Sequence, residues 1–147
     1  MRLARTILIR FLCLPMDLVG LLVALAIVIV FGARTRAHGG AIATTHESPW
    51  LAKRWPYSTT FGHVILMHPD HDQAVLEHEL VHVRQAEAAC VAWWALALLT
   101  WSSLLVILSP FAWLAVYGAS CVAAWLAGRP AYRGSVYEEH ARAEAER

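Results

Sequence analysis

The sequence predicts a mainly α-helical membrane protein of the α+β type, in which three transmembrane helices carry a small module of a strand and a helix at the membrane surface. Of the 147 residues, 59% are hydrophobic and only 16% are charged, which is far more apolar than a soluble domain of this length. Two apolar runs, 14–32 and 91–127, are long enough to cross a bilayer. So short a chain has too little polar material to cover them, and a single membrane-integrated domain over residues 1–147 is expected.

Residues 14–32 are predicted to form the first transmembrane helix, with Asp17 as its only charge. Basic residues precede it as in a signal peptide, but the apolar run is too long for a cleaved one and lacks a clear small-residue cleavage site. We therefore expect a retained anchor. Asp17 is expected to reach the membrane interface or to pair with Arg10, and a functional intramembrane carboxylate is the alternative.

The polar stretch 33–72 is predicted to be a small loop and strand region. Its residues 59–67 are rich in β-branched and apolar side chains and end at a His-Pro-Asp sequence, which predicts one strand followed by a turn. Asp70 or Asp72 would then cap the next helix. Aromatic and basic side chains between residues 50 and 57 favour contact with the membrane surface over nucleic-acid binding.

A helix over residues 73–90 is predicted because no glycine or proline interrupts this stretch. It contains an HExxH motif, made by His78, Glu79 and His82. Residues four apart share one face of a helix, so the two imidazoles can bind one metal ion with the glutamate beside them. Two histidines and a carboxylate base are what zinc hydrolysis requires, although a motif of this length arises by chance too often to establish it alone.

The uncharged block 91–127 is predicted to form a second and a third transmembrane helix, over 91–108 and 111–127. One continuous helix would be about 55 Å long, nearly twice the thickness of the hydrocarbon core. A tight turn at Ser109 and Pro110 fits better. Such a hairpin would return the chain to the membrane face that it left.

A C-terminal helix over 132–147 is predicted from its alanine, glutamate and arginine content. The blocks HELVHVRQ, which contains the motif, and YEEHAR, in this last helix, together resemble the gluzincin metallopeptidases, and most closely the short integral-membrane minigluzincins. In that group a glutamate from a second helix, with a small residue three positions after it, is the third zinc ligand. The resemblance implies that Glu138, followed by Ala141, has this role, whereas the residues alone leave Glu139 and His140 open as ligands.

The resemblance covers two short blocks, and it implies a zinc-dependent metalloendopeptidase. One Zn²⁺ ion would be bound by His78, His82 and Glu138, and Glu79 would activate a water molecule to hydrolyse a peptide bond near the membrane surface. The strand before the motif would pair with an extended peptide, and a core strand with no substrate role is the alternative. The expected partners are therefore the lipid bilayer and a peptide or membrane-protein substrate, with no nucleic acid.

Several questions stay open on the sequence alone, among them the oligomeric state. Tyr132, Tyr137 and Arg142 are equal candidates for the group that stabilises the oxyanion. Lysine and arginine on the side of the motif favour a cytoplasmic active site, which we expect, although a basic amino terminus before three spans favours the opposite. A non-hydrolytic zinc-binding membrane sensor or partner subunit is one alternative function, although coordination alone does not need Glu79. A structural membrane protein without metal is the other.

Overall fold

The computed structural model describes residues 2–145 of the chain, which are mostly helical with one small mixed sheet. The predicted combination of helices with a small strand region is confirmed. In chain order the elements are α1 (Arg2–Phe31), β1 (Arg34–His38), β2 (Ala41–Thr45), α2 (Pro49–Arg54), β3 (Thr59–Phe61), β4 (Val64–Met67), α3 (Gln73–Thr100), α4 (Ser103–Ile107), a 3-10 turn (Ser109–Phe111), α5 (Ala112–Leu126) and α6 (Val136–Ala145).

The predicted number of transmembrane helices is wrong. Among the described residues, two segments are long and apolar enough to cross a membrane, Leu3–Phe31 and Ser109–Leu126. The predicted second span, 91–108, is not a separate helix. Because neither glycine nor proline interrupts the helix that contains the motif, α3 continues through the first part of the apolar block to Thr100.

The chain reverses direction at Trp101, not at Ser109 and Pro110 as predicted. Trp101 ends α3 with a left-handed backbone, at a φ of 50°. The indole nitrogen of Trp93 then donates a hydrogen bond of 2.7 Å to the carbonyl of Leu105, so α4 folds back along α3. Ser109 and Pro110 instead begin the 3-10 turn that leads into α5, where a proline fits because the first turn of a helix needs no N–H from it.

The strand region folds into a four-stranded sheet with the order β1-β2-β4-β3. β2 and β4 are parallel, and the two outer pairs are antiparallel. The single strand predicted over residues 59–67 is the hairpin β3–β4, because Gly62 adopts a positive φ of 58° and the chain turns there. β3 is therefore the terminal strand on one side of the described sheet.

α1 lies along α3 and also packs under the sheet. Near its start the carbonyl of Leu12 accepts a hydrogen bond of 2.9 Å from the indole of Trp94. Further along, Ala24 packs against Val64 and Leu66 of β4. Since the sheet itself packs on the first half of α3, the two long helices run antiparallel.

Asp17 does not pair with Arg10 in the described structure, which corrects one of its predicted roles. Its carboxylate accepts a hydrogen bond of 2.7 Å from the backbone nitrogen of His63 and lies 2.9 Å from Nδ1 of the same residue. The other ring nitrogen lies 3.0 Å from Glu87 of α3. One buried imidazole thus connects α1, the β3–β4 turn and α3, while Arg10 binds the carbonyl of Gly40.

The start of α3 is fixed by one of the two predicted caps. Asp72 accepts hydrogen bonds of 3.0 and 3.2 Å from the backbone nitrogens of Ala74 and Val75. An aspartate in this position stabilises a helix by about 1 kcal/mol, because it satisfies N–H groups that have no partner within the helix. The cap sets the register of the helix that carries the motif.

The C-terminal helix is shorter than the predicted range 132–147. α6 begins at Val136, because a turn precedes it and the hydroxyl of Ser135 accepts the backbone N–H of Glu138 at 3.3 Å. Residues 146 and 147 of the predicted range lie outside the described residues. Glu138 therefore lies in the first turn of a capped helix, in which its direction is well defined.

Candidate metal centre

His78 and His82 lie one helical turn apart on the face of α3 that meets α6. Their Nε2 atoms are 3.2 Å apart, and their ring planes are nearly perpendicular. His82 is buried and His78 is half-buried. The spacing of four residues thus brings two imidazoles to one point, as the sequence predicts.

Glu138 joins the two imidazoles from the first turn of α6. Its carboxylate oxygens lie 3.3 Å from Nε2 of His78 and 3.1 Å from Nε2 of His82. One potential ligand atom from each of the three side chains lies within 4.8 Å of the others, and Glu138 is buried. Two imidazole nitrogens and a carboxylate oxygen in this arrangement could hold a metal ion.

The two other candidate ligands of α6 point elsewhere. The ring nitrogen Nδ1 of His140 lies 3.0 Å from the side-chain nitrogen of Gln85. Glu139 forms a salt bridge of 3.1 Å with Arg129 at the surface. Of the three alternatives that the residues alone left open, the structure brings Glu138 to the two imidazoles.

Gln85, one turn beyond the motif, positions both helices of the site. Its side-chain oxygen lies 2.7 Å from Nδ1 of His82, and its nitrogen donates to the carbonyl of Tyr137 at 3.2 Å. An imidazole that donates Nδ1–H to an amide oxygen keeps the lone pair of Nε2 for a metal. Gln85 therefore orients one of the two imidazoles and at the same time holds the backbone next to Glu138.

Tyr117 of α5 contacts Glu138, the third member of this group, and the sequence alone did not predict this role. Its hydroxyl donates a hydrogen bond of 2.7 Å to Glu138, and its ring lies edge-on to His82 at 5.9 Å. In the sequence, Tyr117 is one more residue of the long apolar block that contains no charge. A buried tyrosine hydroxyl needs a polar partner, and this requirement is the signal that could have marked it.

Glu79 lies beside the metal group and is held by the edge strand. Its carboxylate accepts a hydrogen bond of 2.7 Å from the hydroxyl of Thr60 in β3. The side chain is buried, and burial raises the pKa of Glu79, while the hydrogen bond from Thr60 and the nearby imidazoles offset part of the rise. Thr60 is a second residue that the sequence reading missed, although it expected a strand there.

The two buried carboxylates of the site therefore differ electrostatically. Burial by itself raises the pKa of Glu138, but hydrogen bonds with His78, His82 and Tyr117 outweigh it and hold the pKa well below its usual range. Glu138 has three hydrogen-bonding partners at its carboxylate, whereas Thr60 is the side-chain donor to Glu79. The first is suited to remain charged, and the second is suited to gain and lose a proton.

Among the three candidates for oxyanion stabilisation, Tyr132 is best placed. It lines the space next to Glu79, and burial and the charges of Glu138 and Glu79 raise its pKa. The ring of Tyr137 packs instead against Trp113 at 5.1 Å. Arg142 also borders this region, but its guanidinium donates to backbone carbonyls of the last helix and of the loop before it.

Comparison of the chain with family models, with curated proteins and with solved structures found no match.

Proposed function

We propose that this protein is a membrane-bound zinc metalloendopeptidase. The observation that supports the proposal best is the meeting of His78, His82 and Glu138, with Glu79 buried beside them. His78, Glu79 and His82 precede the uncharged block 91–127, whereas Glu138 follows it. A buried glutamate next to a possible metal site is expected of a hydrolase, since metal binding alone does not require it.

Zinc is the metal that these donors fit best. Two imidazoles and one glutamate form the ligand set of many catalytic zinc sites, which leave a fourth position for water. Gln85 and Tyr117 hold two of the three ligands, as second partners of zinc ligands usually do. When bound, the metal would polarise the scissile carbonyl and lower the pKa of a water molecule.

The proposed proton transfers belong to Glu79. Its carboxylate takes a proton from water as the water adds to the peptide carbonyl, and later donates that proton to the leaving amine. Thr60 orients the carboxylate through the hydrogen bond of 2.7 Å. Tyr132 supplies a hydroxyl that stabilises the negative charge on the carbonyl oxygen.

The edge strand β3 is the proposed binding element for the peptide main chain. It pairs with β4 on one side and ends the described sheet on the other. A terminal strand offers backbone donors and acceptors to an extended peptide, which binds with little demand on its sequence. Because Thr60 of β3 contacts Glu79, a peptide paired here would lie next to the carboxylate.

The membrane arrangement follows from the order of the segments. Glu138 follows α5, yet it contacts His78, which precedes the apolar block. The chain must therefore return to the membrane face from which it entered. We propose that α1 crosses the bilayer. The hairpin of α3 and α4 enters it from the face of the site, and α5 returns the chain to that face without crossing, although α5 is long and apolar enough to cross.

Two further observations support this arrangement. The part of α3 beyond Cys90 is about 15 Å long, half the thickness of the hydrocarbon core. Its end carries apolar side chains that are exposed in the protein, Leu98, Leu99 and Trp101. The lysine and arginine residues near the site favour the cytoplasmic face for it.

The deciding experiment compares metal content and peptide cleavage in the wild type and in Glu79→Gln. Glu77→Gln is the matched control, because Glu77 lies on the same helix but forms an exposed contact with His38. We expect stoichiometric zinc in all three proteins, and cleavage of a peptide library by the wild type and Glu77→Gln only. Zinc without cleavage would indicate the sensor or partner subunit, and a protein without metal would indicate a structural role.

A further inference from the structure

An apolar cavity of about 320 Å³ lies beside Glu79, between α3, α5 and the segment around β3. Its polar atoms come from the candidate site and from β3. Its apolar walls are four aromatic rings and one leucine, namely Tyr57, Trp113, Tyr117, Tyr132 and Leu114. The cavity therefore adjoins the place where a peptide paired with β3 would present one of its side chains.

A second cavity, of about 390 Å³, lies on the other side of Glu79 and has a different chemical character. Tyr132 lines both cavities, but the second is also lined by His71 and Arg142. The space around the carboxylate is thus walled by aromatic rings towards α5, whereas basic side chains join the lining towards α6. A substrate that crosses both cavities would meet two different environments.

We propose that the apolar cavity binds one large apolar side chain, aromatic or long aliphatic, of the polypeptide that is cleaved. The inference rests on the proposed peptidase function and names the residue type next to the cleaved bond. The volume is at the lower end of the range of about 300–1,000 Å³ found for small-molecule sites, so it suits a side chain rather than a larger group. Aromatic walls favour an aromatic guest, which can pack edge-on or offset against them.

The back wall of this cavity is already formed in the free protein. Trp113 is buried and packs against Tyr117 at 5.3 Å and against the ring of Tyr137. A rigid wall needs little ordering when a side chain binds, and this increases affinity. Leu114 is 42% exposed, so it can be replaced without removal of a buried side chain.

The experiment fills the cavity from its exposed side with Leu114→Trp. The matched control is Val122→Trp, which introduces the same side chain at an exposed position of α5 that does not line the cavity. Each zinc-loaded protein is given a peptide library in which each position around the bond is varied among Phe, Leu and Ala. We expect the wild type and Val122→Trp to prefer Phe or Leu over Ala at one position by about tenfold or more.

For Leu114→Trp we expect this preference to disappear or to reverse in favour of Ala. If Leu114→Trp does not fold, Leu114→Ala serves instead, and an enlarged cavity should raise the relative cleavage of peptides with Trp at that position. Cleavage without a side-chain preference, or a preference that neither substitution changes, would overturn the inference and leave the peptidase proposal intact.

A binding measurement separates the two proposals further. Labelled Phe and Ala peptides are titrated into Glu79→Gln and into Glu79→Gln with Leu114→Trp, and fluorescence anisotropy reports their dissociation constants. We expect the Phe peptide to bind about tenfold more tightly, and only when Leu114 is intact. If the Phe peptide binds more tightly but the wild type cleaves no peptide, the peptidase proposal is refuted and the cavity is retained as a binding site. If the Phe and Ala peptides bind with equal affinity, the cavity is refuted as a binding site.

Discussion

The two halves of α3 have opposite patterns of burial. In the first half, Glu79 and His82 are polar and only 4% and 5% exposed, whereas in the second half Leu98 and Leu99 are apolar and 72% and 81% exposed. A helix on the surface of a soluble protein has the reverse arrangement. The polar half is buried because β3, α5 and α6 supply hydrogen-bonding partners, and the apolar half is exposed as expected for contact with lipid.

Under the proposed function, one continuous helix holds the metal site with its first half and enters the membrane with its second half. Changes around its first half should alter metal binding and catalysis, and changes in its second half should alter the position of the protein in the membrane. Changes in the second half should not alter zinc affinity, and changes around the first half should not alter the position of the protein in the membrane.

The largest expected effect is on zinc affinity when the third ligand is removed. Glu138→Ala should lower the affinity by more than about 100-fold, because even the loss of a partner of a ligand costs about 10–100-fold. Glu139→Ala is the control, since Glu139 is the neighbouring residue and binds Arg129 instead. Competition with a coloured chelator measures both, and equal affinities in the two variants would exclude Glu138 as a ligand.

A smaller loss is expected from Tyr117→Phe, which removes the hydroxyl that donates to Glu138. Zinc affinity should fall by about 10–100-fold, because the carboxylate loses the partner that orients it. Tyr137→Phe should leave the affinity close to that of the wild type, because the ring of Tyr137 packs on Trp113 and its backbone carbonyl is retained. An unchanged affinity in Tyr117→Phe would show that α5 does not contribute to the metal site.

The second half of α3 is tested by the accessibility of single cysteines to a membrane-impermeant maleimide in sealed vesicles. Trp101→Cys, at the end of α3, should be protected from either side, because the proposed arrangement places it within the lipid. Asp70→Cys and Ala131→Cys, which precede and follow the apolar block at exposed positions, should react from the same side. The wild type, with its three native cysteines, supplies the background.

Two outcomes would contradict the proposed membrane arrangement. If Trp101→Cys reacts from the side opposite to Asp70→Cys, the hairpin crosses the membrane completely, as predicted from the length of the apolar block. If Asp70→Cys and Ala131→Cys react from opposite sides, Glu138 cannot reach His78, and the proposed site does not exist in the membrane.

The sequence could predict those parts of the site that depend on local periodicity. The helix that carries the motif, a cap at Asp70 or Asp72 and the shared face of His78 and His82 all follow from residues within two turns of one another. The prediction of Glu138 required the resemblance to a family pattern, because no local rule says which residue of α6 faces α3.

The remainder depends on contacts between distant segments, which no local pattern contains. Apolar composition limits where a helix can cross a membrane, but it does not say where the chain turns, so the reversal was expected at Pro110 and occurs at Trp101. A run of β-branched residues predicts extended structure, but the turn at Gly62 divides it into two strands. Thr60 and Tyr117 take part only because tertiary structure brings their hydroxyls to buried carboxylates.

The smallest expected effect concerns His63, which joins α1 to the middle of α3, where the two halves meet. Burial lowers the pKa of His63, but hydrogen bonds with Asp17 and Glu87 outweigh it, so the net pKa is raised above the usual value of about 6.5. Arg10 also acts on this imidazole, in the opposite direction to the two carboxylates. The protonated ring thus stabilises the folded protein at pH values below about 6.5, and this stabilisation should be lost as the pH rises through the raised pKa.

Glu87→Gln removes one of the two carboxylates and lowers the raised pKa of His63, so the stabilisation should be smaller and its loss should be complete at a lower pH. Thermal unfolding in detergent between pH 5 and 9 measures the effect, and Glu77→Gln, on an exposed part of the same helix, controls for the change of charge. Because His63 does not belong to the metal group, zinc affinity measured at pH 7 should stay within a fewfold of the wild type. A large loss of zinc affinity in Glu87→Gln would show that the two halves of α3 are coupled through this imidazole and are not independent.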